Sequence, residues 1–447
     1  MNIRIPLPTH IAKVLKRLSQ SGYEAFTVGG CVRDGIFGLP VHDYDIATNA
    51  LPEETIAVFC DSKIIKTGIA HGTVTLLTDC GAVEITTYRT DGKYTDNRHP
   101  DSVSFTRSLN DDLSRRDFTI NAMAYSEESG LIDPFGGVED IKNKTLRCVG
   151  EPEKRFCEDS LRILRGLRFA AKYGLTIDKN ASHAMHRQKN LLNIISRERI
   201  SSELNRLIVS DCAAEILDEY KDVFAVCIPE IKKMFGFRQD NPHHSFDVWT
   251  HTVNVIKNCP ADLELRLAAL FHDIGKPLCK TMDENGIGHF YGHADIGTEL
   301  TSKIMKNLRQ STKLTENTCL LVKYHCRTGD IGLKGMRRLY GTLGRELTEK
   351  LIELTLADML GQGGSMREQK LEHYGNLKKM LKDITQNKMC CKYGDLDING
   401  RDIIALGIPQ GRLIGDILKD VLNTVISGEL ENDKYALINY IKEKYSG

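Results

Sequence analysis

The sequence predicts an α+β protein, with a mixed head followed by a mostly α-helical remainder. Three observations carry that prediction. Residues 24–150 hold short β-like runs, EAFTVGG, GTVTLLT and AVEITTYR, separated by turn residues. From about residue 151 almost every segment has helical period, as in EDSLRILRGLRFAAKYG, RERISSELNRLIVS, DVWTHTVNVIKN, LELRLAALFHDIG and KLIELTLADML. The 447 residues exceed what one compact core organises and suffice for about three domains.

Composition narrows the function classes. Charged residues are 27% and apolar residues 41%, the balance of a soluble globular chain rather than a disordered or membrane one. The sequence contains no apolar run of about 18 residues, so no transmembrane helix or membrane partner is expected. The opening MNIRIPLPTHIAKVLKRL lacks a continuous apolar core and reads as a helix through Ile11, Val14, Leu15 and Leu18, not as an export signal. Thirteen cysteines without a CxxC pair suggest reduced thiols and a cytoplasmic location. The formal net charge is zero, yet residues 147–206 carry thirteen Lys and Arg against seven Asp and Glu. Such a local excess is a candidate phosphate-binding surface.

In the head, FTVGGCVRDGIFGLPVHDYDIAT (26–48) places two glycines before an Arg-Asp pair, then two aspartates one residue apart. Gly29 and Gly30 let backbone approach a phosphate closely, and Arg33 adds positive charge. If Asp43 and Asp45 lie in a strand, their carboxylates share a face and can clamp Mg²⁺ with substrate phosphates. Glu84, between Val83 and Ile85, faces away from those apolar neighbours and is a candidate third acid. This is the order a nucleotidyl-transfer site requires, with phosphates cradled first and metals then acting on the α-phosphate and attacking hydroxyl.

These residues resemble the polymerase β-like nucleotidyltransferase superfamily, in its class II branch of bacterial tRNA CCA-adding enzymes and poly(A) polymerases. RRDFTINAMAY (115–125) and DPFGGVEDIKNKTLRCVG (133–150) are similar to the next two motifs of that branch, and RTDGKYTDNRHPDSVSF (89–105) to its flexible loop. The resemblance implies that Arg116 contacts the nucleotide's sugar and phosphates, while Asp117 and Asn121 shape the pocket.

Within CEDSLRILRGLRFAAKYG (157–174), Asp159 and Arg162 are three apart and are expected on one helix face. Asp only accepts and Arg only donates. Together they match the amine and adjacent ring nitrogen that cytosine and adenine share, whereas uracil and guanine present the reverse pattern. Glu158, Asp159 and Arg162 match the family's EDxxR base-reading motif. Arg165 and Arg168 continue the stripe, with triphosphate or tRNA contacts expected. RERISSEL (197–204) is similar to the family's last neck motif.

Beyond residue 240, His251 in VWTHTVNVI, His272-Asp273 in LAALFHDIGKP and Asp358 in LTLADMLG each lie in or at the end of an apolar-periodic helix. Imidazole and carboxylate donors suit a divalent transition metal or Mg²⁺ rather than a structural thiolate zinc. The order H…HD…D resembles the HD phosphohydrolase domain. His293 and His325 match positions that hold a second metal or orient phosphate in such domains, and Lys276 is a candidate phosphate binder. The domain is expected either to hydrolyse phosphoesters or to be retained without activity. In DLDINGRDIIALGIPQGRLIGDIL (395–418), Gly407, Gly411 and Gly415 surround Arg412 in a stretch similar to the family's tRNA-binding tail.

The expected organisation is a nucleotidyltransferase head at 1–145, a helical neck and body at 146–238, an HD domain at 239–365 and a helical tail at 366–447. The function implied is template-independent addition of C, C and A to tRNA 3′ ends from CTP and ATP. An A-adding tRNA nucleotidyltransferase or a poly(A) polymerase remains open, as does a metal-dependent phosphohydrolase with an RNA-binding head. The sequence leaves the oligomeric state open.

Overall fold

A computed structural model describes residues 3–92, 103–242, 245–363 and 367–445. The chain divides into two compact units, Met1–Pro229 and Glu230–Gly447. The expected flexible loop falls largely at 93–102, outside the described residues, as do positions 243–244 and 364–366 at the two predicted breaks.

The first unit is built on a seven-stranded mixed sheet. Its strands are β1 (Ala25–Val28), β2 (Asp45–Thr48), β3 (Lys63–Ile65), β4 (Thr73–Thr78), β5 (Gly81–Thr87), β6 (Ala124–Ser126) and β7 (Gly130–Ile132), in the order β3-β4-β5-β2-β1-β6-β7. Helix α1 (Thr9–Gln20) buries the predicted stripe Ile11, Val14, Leu15 and Leu18. That stripe packs with Ile46, Leu76, Val83 and Ile85 on one sheet face. Alternate residues Phe26, Val28 and Ala47 pack with Tyr88, Leu113 and Ala124 on the other. Apolar burial on both faces holds the sheet, each fully buried Leu or Ile contributing about 1.5–3 kcal/mol.

β1 ends at Gly29, whose φ of +72° suits glycine, and α2 (Gly30–Ile36) begins at once. β2 lies antiparallel to β1 and parallel to β5, with Asp45 opposite Glu84. The strand starts only at Asp45, so Asp43 occupies the segment leading into it rather than the strand itself.

A second departure concerns the predicted base-reading helix. α3 (Pro152–Glu158) stops before Asp159, which is extended at φ −138° and ψ 103°, and α4 (Leu161–Tyr173) starts afresh. Asp159 Oδ1 accepts the Leu161 amide at 3.1 Å, satisfying a donor that the new helix start leaves open. Asp159 and Arg162 therefore do not share one helix. α4 ends at Gly174, left-handed at φ +61°. Its Arg165 and Arg168 face the same side as Arg162, and α5 (Arg197–Ile208) packs beside it.

The second unit is helical. Its helices include α6 (Val248–Asn258), α7 (Leu263–Phe271), α8 (His293–Asn307), α9 (Thr312–Tyr324), α10 (Leu333–Gly361), α11 (Arg367–Gln386), α12 (Arg412–Ser427) and α13 (Lys434–Tyr445). Asp247 caps α6 and Asp262 caps α7 through their side chains. α10 breaks at Gly344, φ +73°. Ile417, Val421 and Val425 of α12 pack with Leu437 and Ile441 of α13. Buried Arg337 of α10 donates to the carbonyls of Cys390, Val425 and Ile426. No described helix is long and apolar enough to cross a membrane, and the thirteen cysteines are all free.

Candidate functional site

In the first unit one cavity of about 990 Å³ gathers nearly every residue the sequence singled out. Gly29, Gly30, Arg33, Asp43, Asp45, Arg116, Asp117, Asn121, Asp159, Arg162, Arg165 and Arg168 all line it. Glu84 is not among the lining residues; it stands beside Asp45 on the neighbouring strand. The lining holds ten Lys and Arg side chains against five aspartates, so the cavity is positive on balance despite the neutral chain.

The acidic end has the opposite character. Asp45 keeps a solvent-facing edge, yet burial, then the charges of Glu84 and Asp43, push its carboxyl above the usual range, with Arg116 pulling the other way. Crowded acids of this kind are stabilised by a cation. Gly29 nearby owes its place to its left-handed φ of +72°, and a Cβ there would also crowd Arg116 Nη1 at 3.0 Å. Arg116 is held in place by Asp112 Oδ2 at 3.2 Å.

A connected network positions the basic side. Arg33 donates to Asn121 Oδ1 at 2.6 Å, and Asn121 donates to Asp117 Oδ1 at 2.9 Å. Asp117 also accepts two bonds from Arg165, at 2.6 and 2.8 Å. Burial opposes ionisation of Asp117, but the Arg165 charge and the bonds from Asn121 and Arg165 prevail and hold it at about 2. The Arg33 guanidinium lies over the rings of Phe169 and Tyr173, at 5.0 and 4.7 Å from their centroids. Tyr173 donates to Asp34 at 2.7 Å, and Asp34 in turn accepts from Arg33. Arg168 is directed to Glu203 of α5.

Asp159 and Arg162 face the cavity but pair elsewhere. Arg162 donates to Glu158 at 2.7 Å and to the Arg115 carbonyl at 3.2 Å, while Asp159 accepts from Arg199 at 3.0 Å. Arg199, Arg206, Arg115, Lys172 and Tyr173 escaped the sequence reading. Arg199 stands inside the RERISSEL motif and Arg206 inside the basic excess, so both carried a signal. Tyr173 carried none, since an aromatic at a helix end usually serves packing.

The second unit brings together the other predicted set. His251 Nε2 lies 3.2 Å from His272 Nε2, 3.0 Å from Asp358 Oδ1 and 3.5 Å from Asp273 Oδ2. His272 Nε2 is 3.2 Å from Asp273 Oδ2. These separations approximate the roughly 3.0 Å edges of an octahedral site with bonds near 2.1 Å. The α6 and α7 caps set the register that directs His251 and His272 inward, and both are buried. Against the opposing effect of burial, Asp273 and Asp358 raise His272. Asp273 is held well below the carboxylate range, where burial opposes and His272 and Lys276 favour its charge. Asp358 is lowered likewise, burial opposing and His251 prevailing. Lys276 Nζ lies 2.7 Å from Asp273 Oδ2. His293 and His325 adjoin each other, and burial lowers both, His325 to about 4. Cys326 stands next to them, an exposed residue whose thiol turns inward and is pushed up to about 12 by burial and by Asp273 and Asp358.

A family model described as the poly A polymerase head domain matches residues 25–147, and one for a probable RNA and SrmB-binding site of polymerase A matches 174–235. A third, tRNA nucleotidyltransferase domain 2 (putative), matches 283–441. A CCA-adding enzyme of Streptococcus suis is 32% identical over 435 residues, covering 96% of this chain and 95% of the relative. One from Limosilactobacillus fermentum is 31% identical over 432 residues, covering 95% and 94%. Among solved structures, the Bacillus stearothermophilus CCA-adding enzyme in complex with CTP superposes with a TM-score of 0.72 at 27% identity, covering 98% and 97% of the two chains. The Thermotoga maritima CCA-adding enzyme complexed with tRNA shares the fold at a TM-score of 0.62 and 19% identity.

Proposed function

This chain belongs to the CCA-adding enzyme family, and from that premise we propose that the head cavity adds C, C and A to tRNA 3′ ends, using CTP and ATP without a nucleic-acid template. The observation that carries the reading is the confluence of Asp43 and Asp45 with Asp159 and Arg162 in one basic cavity. The raised Asp45 carboxyl, crowded by Glu84 and Asp43, fits a divalent cation, and we assign Mg²⁺ to Asp43 and Asp45. Held by Asp43 and Asp45, such an ion would supply neutralising charge for the triphosphate and would lower the barrier to deprotonating the acceptor hydroxyl. The remaining work falls to the chain's own groups.

Arg33, Arg116, Arg165 and Arg168 supply positive charge for the triphosphate, with the Asn121–Asp117 bridge fixing Arg33 against Arg165. Asp159 accepts the exocyclic amine and Arg162 donates to the ring nitrogen of cytosine or adenine. For uracil or guanine both partners are mismatched, at about 1–3 kcal/mol each. Arg162 must turn from Glu158 to meet the base, and Asp159 from Arg199. The full-length CCA-adding relatives favour this activity over A-only addition or polyadenylation. The test offers three tRNA acceptors, lacking CCA, CA or A, with labelled CTP and ATP supplied separately. CTP incorporation on the first two and ATP incorporation on the third are expected. ATP incorporation alone would overturn the assignment.

A second activity is favoured by the histidine cluster. His251, His272, Asp273 and Asp358 form an N₂O₂ donor set that fits a divalent metal. With that ion bound, the site gains the means to ionise water for attack on a phosphoester. Lys276 beside Asp273 is placed to steady the phosphate, and the reading is a metal-dependent phosphohydrolase. Release of phosphate from phosphomonoesters, or opening of 2′,3′-cyclic phosphates to the monophosphate, with Mn²⁺, Ni²⁺, Co²⁺ or Mg²⁺ checks it; inactivity with all four contradicts it.

A further inference from the structure

The short helix Leu109–Ser114 carries a buried carboxylate, Asp112, only 1% exposed. It does not line the head cavity. Its two oxygens nevertheless take four donors. Oδ1 accepts Arg115 Nε at 3.1 Å, Arg115 Nη2 at 2.7 Å and the Arg89 amide at 3.3 Å. Oδ2 accepts Arg116 Nη2 at 3.2 Å. Burial opposes ionisation of Asp112, but the charges of Arg116 and Arg115 prevail and hold it below the usual carboxylate range.

Each arginine carries the constraint to a different part of the cavity. Arg116 is anchored at Nη2, and its Nη1 stands over Gly29, within 3.0 Å of where a Cβ would be. Its Nε is buried without a partner among the described residues. One edge of the guanidinium is therefore fixed, and the rest is left for an anion at the Gly29–Gly30 turn. Arg115 acts through its main chain. Its carbonyl accepts Arg162 Nη2 at 3.2 Å, whereas Glu158 takes Arg162 Nη1 at 2.7 Å. Arg162 can thus exchange Glu158 for a base at Nη1 while Nη2 stays on the Arg115 carbonyl.

Resting on the CCA-adding reading, we propose that Asp112 is a positioning residue that ties the triphosphate arginine, Arg116, to the base-reading Arg162 by way of Arg115, and anchors both to strand Arg89–Asp91. Asp112 acts only through these arginines. One carboxylate then sets both how tightly the triphosphate is held and how sharply cytosine and adenine are separated from uracil and guanine.

Steady-state incorporation by the full chain onto tRNA acceptors, with each of the four nucleotides, tests this. Asp112→Asn keeps the shape and loses the charge. It is expected to raise KM for CTP about 10-fold and to narrow the preference for CTP over UTP about 10-fold. Arg116→Ala is expected to raise KM for all four nucleotides alike and to leave the preference intact. The double variant is expected within about 3-fold of Arg116→Ala in KM, since Asp112 then has no triphosphate arginine to hold. Arg115→Ala cuts the tether to Arg162 and leaves Asp112 on Arg116, so the preference narrows about 3-fold with KM for CTP within about 2-fold of wild type. Glu54→Gln breaks an ion pair with Arg107 away from the cavity and keeps wild-type kinetics.

An unchanged preference in Asp112→Asn or in Arg115→Ala, or KM effects that multiply in the double variant, would overturn the role of Asp112 and leave the CCA-adding reading standing. The same shifts in Glu54→Gln would reduce the effect to head stability and overturn it too. A wild-type chain that incorporates neither CTP nor ATP would overturn both. Circular dichroism confirms that each variant is folded, and Arg115→Ala decides the question if Asp112→Asn is not.

Discussion

Arg199 of α5, not Arg162, is the ion-pair partner of Asp159, at 3.0 Å. The acceptor half of the proposed base reader is therefore aimed by a residue from a separate helix. Arg162 is held independently by Glu158 at 2.7 Å. Each half of the fork has its own support and exchanges it for the base. Removing the Arg199 support frees Asp159 to turn without touching Arg162. Arg199→Ala is expected to lower kcat/KM for CTP and ATP about 10-fold and to narrow their advantage over UTP and GTP. Steady-state kinetics with the four nucleotides checks this; equal losses for all four would make Arg199 a general contact instead.

The Asp117–Arg165 pair ties the head to α4. Asp117 is held at about 2, below its usual 3.8, so it binds a proton less readily folded than unfolded. The stability it contributes, about 2 kcal/mol, is present above pH 4 and is lost as pH falls toward 2. Asp117→Asn is expected to lower the melting temperature at neutral pH and to flatten the acid limb between about pH 4 and 2. Thermal unfolding followed by circular dichroism across that range measures both effects. An unchanged acid limb contradicts the assignment.

Arg33 is positioned by aromatic rings as well as by Asn121. Tyr173 stacks on Phe37 with centroids 4.8 Å apart and bonds to Asp34, which keeps its ring beneath the guanidinium. Tyr173→Leu loses both effects and is expected to raise KM for CTP and ATP about 3- to 10-fold with a smaller change in kcat. Tyr173→Phe keeps the ring and is expected to recover most of the loss. Equal kinetics for the two variants would remove the ring from the account.

Gly275, just after the His272-Asp273 doublet, admits no side chain. A Cβ there would fall 2.2 Å from the His293 carbonyl oxygen. Gly275→Ala forces α8 away and is expected to weaken cobalt binding at the histidine cluster by about 10-fold or more. Metal titration measures this, and unchanged affinity contradicts the tight approach.

The legible parts of the sequence were those where one residue type has one physical use. GG before an Arg-Asp pair marked the turn after β1, and the apolar stripe of α1 named its buried face. What escaped depended on chain direction between elements. Helical spacing carried Asp159 and Arg162 onto one face, but the side chain of Asp159 accepts a backbone amide and stops the helix. The DxD spacing suggested one strand, yet β2 begins at its second member. Arg199 and Asp159 are forty residues apart, and such pairing is set by how α5 packs on α4. Cys326 carried no signal of its own, because His293, one of the two histidines beside its thiol, comes from α8 and is 33 residues away in the chain.

The central claim is that Asp43 and Asp45 hold the cation against the incoming triphosphate in the cavity that also contains Asp159 and Arg162. Single-turnover incorporation of labelled CTP by Asp45→Asn, on a tRNA acceptor lacking CCA, tests it most directly. The account predicts a loss of about 1000-fold or more with tRNA binding retained. Incorporation within a few-fold of the wild-type rate, from a folded variant, would contradict it.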